Sequence, residues 1–253
     1  DGWIGWKVDV LPRDQVDPVK LFRREETPSW MYPKVRKAAV VRNAQGEHED
    51  YLFYRGVGNF AQPVRTTVDA EERLSIHNDG SARVPFAFVF ERANGVTRYA
   101  VLKEGVEAGS TVVVAEEGLT VATGDGKEEV YVPVRDGLVA AGLYPEEADA
   151  MVRTWWRSYF ETQGLRVFWV VPEGFTNQVL PMKVSPAPKE VVRVIVGRSE
   201  VLRPRFERDL VQKMTSGAEE DQGWKSIYLA DRFGLAYQKR VEALTKLPET
   251  AQR

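Results

Sequence analysis

The chain has 253 residues, of which 43% are hydrophobic and 28% are charged, and its formal net charge is −2. This is the composition of an ordinary globular protein with enough chain to bury a substantial core. The absence of cysteine excludes zinc–thiolate sites, thiol nucleophiles and disulfides, and a nearly neutral charge argues against sequence-independent binding to nucleic acid.

The first 49 residues are predicted to form an irregular segment that wraps over a neighbouring core. Four prolines between residues 12 and 33 interrupt any helix longer than two turns. A short strand is expected at KAAVVRN, and Trp3, Trp6 and Trp30 are expected to anchor the segment. Since the chain opens on DGWIGW without an initiator Met, we expect that an upstream segment has been removed.

Residues 50–118 contain five short runs rich in β-branched and aromatic residues: EDYLFYRG, ERLSIHN, RVPFAFVFER, TRYAVLKEG and STVVVAEE. Asn94-Gly95 predicts a tight hairpin, because both residues tolerate the positive φ of a type I′ turn. In PFAFVFER, Phe86, Phe88 and Phe90 share one face and the residues between them are also apolar. That strand is therefore expected to be covered on both sides. Five strands about ten residues apart predict a β-sandwich.

The segments LSIHNDGSARVPFAFVFE and GVEAGSTVVV resemble bacterial adhesion-related Ig-like modules, in which an N-x-G turn precedes a long strand and an aG-s turn precedes the last strand. The resemblance covers about a quarter of the chain. It implies an Ig-like sandwich of a kind often found in exported proteins, and it implies no catalytic residues. The block from YFETQGLRVFWVVP through LPMKVSPAP to VGRSEVL also resembles exported bacterial proteins of unknown function.

Residues 119–222 are predicted to form a mixed α/β region, and residues 223–253 a long C-terminal helix. Pro145 begins a helix over PEEADAMVRTWWRSYFET, with acidic residues in its first turn. Two apolar strands follow, LRVFWVVP and VVRVIVG, and Pro204 begins a further helix. The whole is predicted to be an α+β fold, with an N-terminal Ig-like β-sandwich half packed on a mixed α/β half.

The run MVRTWWRSYFETQGLRVFWVVP at 151–172 concentrates large aromatic residues. Projected at about 100° per residue, its helical part has an apolar arc of about 180°, wider than an ordinary amphipathic stripe. The rings are therefore interpreted as a structural joint between helix and strand. Two alternatives remain, which are an interface with another protein and a carbohydrate platform built from Trp155, Trp156 or Trp169.

Candidate catalytic and metal-binding residues are few. Glu161 and Glu173 are the two carboxylates to test for glycoside hydrolysis, a chemistry that geometry rather than sequence defines. A loose divalent-cation site is conceivable in GEHED, at Glu47, His48 and Asp50. The sequence has no G-x-S-x-G elbow and predicts no cofactor.

The first hypothesis is an exported bacterial protein without catalytic activity, a structural or binding component of the cell envelope or of a surface assembly. Its expected partners are other protein subunits, the chain itself among the candidates, and no nucleic acid. No apolar run is long enough to cross a bilayer, so proximity to a membrane would come through a partner. The absence of cysteine favours an extracytoplasmic location, in the periplasm or at the cell surface. The alternatives are a polysaccharide-acting hydrolase with a carboxylate pair and a periplasmic module that binds a small ligand or metal.

Overall fold

The computed structural model describes residues 2–17, 38–54, 56–124, 126–215, 239–240, 242–243 and 246. These residues form both helices and antiparallel sheets, so the predicted mixture of α and β structure is confirmed. The predicted C-terminal helix of residues 223–253 lies outside the described residues, apart from the few positions between 239 and 246. Within the described residues, no helix is long and apolar enough to cross a membrane.

The chain divides into two compact units, which we describe separately. Unit 1 comprises the described residues of Asp1–Phe60 and Tyr144–Trp156, and unit 2 those of Ala61–Leu143 and Arg157–Arg253. The strands are β1 (Asp9–Leu11), β2 (Val40–Arg42), β3 (His48–Glu49), β4 (Val64–Val68), β5 (Leu74–Asn78), β6 (Ala87–Ala93), β7 (Val96–Leu102), β8 (Thr111–Val114), β9 (Thr120–Val121), β10 (Gly164–Val170) and β11 (Val196–Val201). The helices are α1 (Lys127–Ala140), α2 (Pro145–Trp156), α3 (Glu173–Val179) and α4 (Pro204–Thr215).

Unit 1 contains a small antiparallel sheet in the order β1-β2-β3, together with α2. Strand β2 lies where KAAVVRN predicts one. The turn to β3 forms because the Asn43 side-chain oxygen accepts the N–H groups of Gln45 and Glu47, at 3.0 and 2.9 Å, and Gly46 adopts φ +82°. Helix α2 begins at the predicted Pro145.

Unit 2 contains a five-stranded antiparallel sheet in the order β11-β10-β6-β7-β9 and a three-stranded antiparallel sheet in the order β4-β5-β8. Both sheets contribute to one hydrophobic core, which we call the inner core. Its members include Leu74 and Ile76 from one sheet and Val89, Val167 and Trp169 from the other. Since all five side chains are at most 2% exposed, the two sheets share one dry interior.

The hairpin predicted at Asn94-Gly95 is confirmed. The two residues join β6 to β7 with φ values of +51° and +77°, as a type I′ turn requires. The two covered faces predicted for β6 are also confirmed. Val89 faces the inner core, whereas Phe88 and Phe90 face the opposite side of the five-stranded sheet, and all three are at most 1% exposed.

The opposite side of the five-stranded sheet, here called the outer face, is covered by helical segments. In α1, Gly137 lies so close to the Phe86 ring that a Cβ atom there would be 2.6 Å from it. After α2 the chain forms one five-residue π-helix, Arg157–Glu161, whose Phe160 packs on Phe88 and Phe90. The sheet is therefore a middle layer, with the inner core below it and these helices above.

The sequence-based domain division remains a prediction. Its boundary at residue 118 falls between β8 and β9, and strands from both sides of that boundary meet in the five-stranded sheet. Strand β10 pairs with β6 in antiparallel orientation. Phe168 lies directly opposite Phe88 in this pairing, although 80 residues separate them in the chain. Such long-range pairing follows from tertiary packing and leaves no local signature.

Candidate functional site

The aromatic run of residues 155–169 divides between the two units. Trp155 and Trp156 end α2 in unit 1 and are both half-buried. The remaining rings are in unit 2, where Phe160, Phe168 and Trp169 are only 2 to 3% exposed. For these three rings the predicted structural role is confirmed.

Phe160 is the centre of an aromatic cluster on the outer face. Its ring centroid lies 5.1 Å from that of Phe90, 5.5 Å from that of Phe168 and 6.3 Å from that of Phe88. Tyr159 lies 4.6 Å from Phe168. Edge and tilted packing at these separations stabilises each pair beyond the burial of its surface. The π-helix is thereby fixed to the sheet.

Arg166 of β10 ties the end of the π-helix to the sheet. Its guanidinium group donates hydrogen bonds to the backbone oxygens of Tyr159, Thr162 and Gln163, at 2.9, 2.9 and 2.7 Å. Its Nε lies 3.2 Å from both carboxylate oxygens of Glu200. Only 1% of the side chain is exposed, so these partners take the place of the water molecules that the guanidinium group loses on burial.

Glu200 joins Arg166 to a second arginine, Arg198. Arg198 Nε donates to Glu200, Nη1 donates to the Ser158 hydroxyl at 3.0 Å, and the guanidinium lies 5.6 Å from the centre of the Tyr159 ring. The side chains of Arg198 and Glu200 are 4% and 5% exposed. We therefore interpret Glu200 as a structural link between the two guanidinium groups. A carboxylate that transfers a proton in catalysis needs access to a substrate, and Glu200 is buried between the two arginines.

A second charged network closes one end of the inner core. Glu91 of β6 is fully buried, and its Oε1 accepts a 2.6 Å hydrogen bond from Arg203 Nε. Arg203 Nη1 donates to the backbone oxygen of Glu72, in the turn between β4 and β5, at 2.6 Å. Arg205 then donates to Glu116 through both of its terminal nitrogens, Nη1 and Nη2, at 2.5 and 3.0 Å. The network therefore joins α4 to both sheets.

The electrostatic effect of this network is clearest at its outer member. The hydrogen bond from Arg205 lowers the pKa of Glu116 below its ordinary value, against the opposing effect of burial. The same contact raises the pKa of Arg205. Both groups are thus held in their charged forms, which suits a permanent ion pair.

The candidate carboxylates Glu161 and Glu173 are both exposed. Glu161 ends the π-helix and Glu173 begins α3. Neither forms an ion pair with another described residue. Both side chains therefore lie at the solvent-exposed surface, outside any buried pocket among the described residues.

Trp169 does not offer a face to a ligand. Its indole lies over Gly197, its partner on β11, so closely that a Cβ atom at Gly197 would be 2.2 Å from the ring. The other side of the ring belongs to the inner core. Trp155 and Trp156, the other two candidates, lie in unit 1 and are half-buried there.

The acidic hairpin GEHED does not assemble a metal site. Asp50 binds Arg13 at 2.7 Å, and Glu47 accepts a hydrogen bond from the Asn43 side chain. No three His, Asp or Glu side chains among the described residues are arranged to hold a metal ion. Burial and the neighbouring carboxylates of Asp50 and Glu47 raise the pKa of Glu49, because each of them disfavours its ionised form.

Unit 1 exposes a set of large apolar side chains, which we call the aromatic surface. Its members are Trp3, Ile4, Trp6, Leu52, Phe53, Tyr54 and Val57. Trp3 is 91% exposed and Val57 fully so, and the rings of Trp6 and Tyr54 are paired with centroids 5.7 Å apart. The prediction that Trp3 and Trp6 anchor the chain to a core is wrong, because both are exposed. The third predicted anchor, Trp30, lies outside the described residues. In the sequence, the runs DGWIGW and YLFY mark this surface. The pattern of aromatic residues in a run does not by itself distinguish buried rings from exposed ones.

Unit 2 has a second exposed feature, which we call the exposed arm, at residues 180–192 between α3 and β11. Every residue in it is exposed, including Leu180, Met182, Val184, Val191 and Val192. No backbone hydrogen bond links residues 181–194 to the backbone of the described residues. A segment of this length without secondary structure is uncommon within a compact unit.

No protein-family model, no curated protein and no solved structure matches this chain.

Proposed function

We propose that the chain is an exported bacterial protein without catalytic activity, which serves as a structural or binding component of a cell-envelope or surface assembly. The observation that carries the proposal is the aromatic surface of unit 1. Its members are exposed large apolar side chains on two segments of the chain, and the Trp6 and Tyr54 rings bring these segments into contact. Exposed apolar side chains that lie together on a soluble protein commonly serve in recognition. Tyr, Trp and Phe are the residues enriched in protein interfaces.

The architecture of unit 2 supports a binding role. We assign β4-β5-β8 to strands A-B-E and β11-β10-β6-β7 to strands G-F-C-C′ of an Ig-like sandwich, with β9 as an additional edge strand and with helices inserted between E and F. In this assignment the exposed arm is the F–G connection. Loops at the ends of such sandwiches commonly recognise partners. The Ig-like assignment also agrees with the resemblance of LSIHNDGSARVPFAFVFE to adhesion-related modules.

The extracytoplasmic location is part of the proposal. It rests on the lack of cysteine and on the resemblance to exported modules. Protease treatment of intact cells of the native host tests it. An exported protein is degraded by the protease or is recovered in the periplasmic fraction. Recovery of the intact protein in the cytoplasmic fraction would contradict the proposed location.

The hydrolase alternative has less support. A glycosidase needs two carboxyl groups about 5–10 Å apart across an open cleft. Among the described residues, the most buried carboxylates, Glu91 and Glu200, are both bound by arginines in the charged networks described above. Release of sugar from envelope polysaccharide by the purified protein, lost in Glu161→Gln or Glu173→Gln, would replace the binding proposal by this one.

Binding to envelope material tests the proposed function directly. Purified protein is mixed with the envelope fraction of the native host, and the bound share is measured after sedimentation. A variant with Trp3→Ser, Phe53→Ser and Tyr54→Ser is expected to lose about tenfold or more in affinity, because buried aromatic residues dominate interface energies. The matched control carries Val113→Ser and Val121→Ser, which are 56% and 55% exposed in unit 2. Equal binding by both variants and the unaltered protein would contradict the proposal.

A further inference from the structure

We infer that the exposed arm is a proteolytic processing site, at which an endopeptidase of trypsin-like specificity cleaves the Lys183–Val184 bond and leaves the two products assembled. The site lies within unit 2 and needs no partner on the aromatic surface, so it is independent of the proposed function. The accessibility of the arm, the position of its lysines and the contacts made by the chain on either side of it support the inference.

The backbone of the exposed arm is accessible to a protease along its whole length. All residues from 180 to 192 are exposed, and residues 181–194 form no hydrogen bond with the backbone of the described residues. A protease has to take up several residues on each side of the bond that it cleaves, which in a helix or strand first requires local unfolding. The arm belongs to neither a helix nor a strand, so this cost does not arise. Exposed segments of this kind are preferred sites of proteolytic cleavage.

The arm carries two lysines, and the first of them precedes the more accessible bond. Trypsin-like endopeptidases select a basic residue before the cleaved bond, because an acidic group lies in the pocket that receives its side chain. Lys183 is exposed and is followed by Val184, which is 49% exposed. Lys189 follows Pro188, whose ring fixes φ, and precedes Glu190, whose negative charge would lie close to the acidic pocket. We therefore assign the first cut to the bond after Lys183.

The reaction is the hydrolysis of one peptide bond. One water molecule is consumed, and the C–N bond between Lys183 and Val184 breaks. Lys183 becomes the carboxyl terminus of the product 1–183, and Val184 becomes the amino terminus of the product 184–253. The arm supplies only the substrate, and the protease supplies the catalytic groups.

Strand β11 holds the C-terminal product on the rest of unit 2. It pairs with β10 over the six residues Val196–Val201, and Val201 is buried in the inner core. Glu200 of the same strand also binds Arg166 of β10 at 3.2 Å. Each of these contacts joins a residue after the cleaved bond to a residue before it. Cleavage in the arm therefore removes none of them.

Contacts on both sides of β11 add to this attachment. Just after the arm, Ile195 O accepts a hydrogen bond from Val171 N at 2.9 Å. At the start of α4, Arg203 donates to the fully buried Glu91 at 2.6 Å. Separation of the two products would expose the inner core and this ion pair to water or leave them unpaired, which is strongly unfavourable. The cleaved chain is therefore expected to remain one noncovalent complex.

Lys103 provides a matched control site in unit 2. It is exposed, as Lys183 is, but it lies in the tight turn after β7, where Gly105 N donates to Leu102 O at 2.9 Å. Three residues further on, Val106 is only 1% exposed. A protease that takes up Lys103 has to break these contacts, so the bond after Lys103 is expected to be cut more slowly.

Limited trypsin digestion of the purified full chain tests the site. The digestion is stopped when half of the chain has been cut, and mass spectrometry identifies each new terminus. A product that begins at Val184 is expected among the main early products. It should be lost in Lys183→Gln and should form at the unaltered rate in Lys103→Gln. The inference is overturned if no product begins at Val184 at that stage, or if Lys183→Gln still yields it.

Size-exclusion chromatography of the same digest tests whether the products stay together. The product that begins at Val184 is expected to elute with the product that contains β10, and to separate from it only in denaturant. Because unfolding of the cleaved complex releases two molecules, its Tm should rise with protein concentration, whereas that of the intact chain should not. Separate elution without denaturant would contradict the inferred assembly.

Protein recovered from the native host tests whether the arm is cut there as well as by added trypsin. Mass spectrometry is expected to find the Val184 amino terminus in the recovered protein, and a host that produces Lys183→Gln should contain the bond uncut. Recovery of the uncut chain alone would refute processing. That result would leave the proposed function standing, since envelope binding is assigned to the aromatic surface.

Discussion

Replacement of Arg203 by methionine tests the physical account of the buried charges. Arg203 is 1% exposed and donates to Glu91, which is fully buried, at 2.6 Å. In Arg203→Met the carboxylate keeps only Arg205 Nη2 at 3.6 Å and Arg98 Nη1 at 3.8 Å. The variant also loses the 2.6 Å hydrogen bond to the Glu72 backbone oxygen.

The magnitude follows from these contacts. Removal of one partner of a buried ion pair costs about 3–5 kcal/mol, since an uncompensated charge remains in the interior. The two remaining arginines partly compensate Glu91, so we expect about 3 kcal/mol, at the lower end of that range. For a chain of this size, 3 kcal/mol corresponds to a fall in Tm of about 6–12 °C.

Urea denaturation followed by far-UV circular dichroism measures the free energy of unfolding. The matched control is Arg65→Met, which removes the 3.0 Å ion pair between Arg65 and Asp79. The side chains of both residues are more than half exposed. It should cost less than about 1 kcal/mol. The double variant Glu91→Leu, Arg203→Met should recover most of the loss, because Arg98 and Arg205 can reach water.

Two results would refute this reasoning. One is an Arg203→Met variant whose stability is within experimental error of Arg65→Met. The other is a double variant less stable than Arg203→Met alone, since the buried carboxylate would then not be the cause of the loss.

Three further predictions concern the aromatic cluster, the inner core and the response to pH. Phe160→Ala should cost about 3–5 kcal/mol in urea unfolding because it leaves a cavity beneath the π-helix, and a cost below 1 kcal/mol would contradict the packing described. Gly197→Ala should lower Tm, because its methyl group would displace the Trp169 ring at a cost of about 1–3 kcal/mol, and an unchanged Tm would contradict that contact. The hydrogen bond from Arg205 lowers the pKa of Glu116 in the folded chain. The stability that this ion pair contributes is therefore present above the ordinary pKa of 4.5, and it is lost as the pH falls through the lower pKa of the folded chain. Glu116→Gln should therefore lose less stability than the unaltered chain between pH 5 and pH 3, and parallel losses in Tm would rule out this role.

Much of the local structure was predictable from the sequence. Asn94-Gly95 predicted its hairpin because few residue pairs adopt positive φ at both turn positions. The two apolar faces of β6 predicted a strand in a middle layer, and Pro145 predicted the start of α2. In each case the deciding interaction lies within a few residues, so the chemistry of the segment suffices.

The candidate sites were less predictable. Arg166 looks like one charged residue in an apolar strand, and only the structure shows that it binds three backbone oxygens at the end of the π-helix. Trp169 and Trp3 are the same residue type in similarly aromatic runs, yet one is 2% and the other 91% exposed. The identity of a side chain sets the energy of burying it, whereas the elements that pack around it decide whether it is buried.

The amino-acid sequence by itself determined the Asn94-Gly95 hairpin, the strand in PFAFVFER and the mixture of α and β structure, because periodicity and turn chemistry act over short distances. The strand predicted at EDYLFYRG is wrong, because no described residue after Glu49 in that run belongs to a strand. Only the tertiary structure decided that β10 and β11 complete the sheet begun by β6 and β7, that Glu91 and Arg203 meet inside it, and that the aromatic surface faces water. These outcomes depend on pairing between segments tens of residues apart. Such pairing is selected by the packing of the whole unit, and the sequence of any one segment does not specify it.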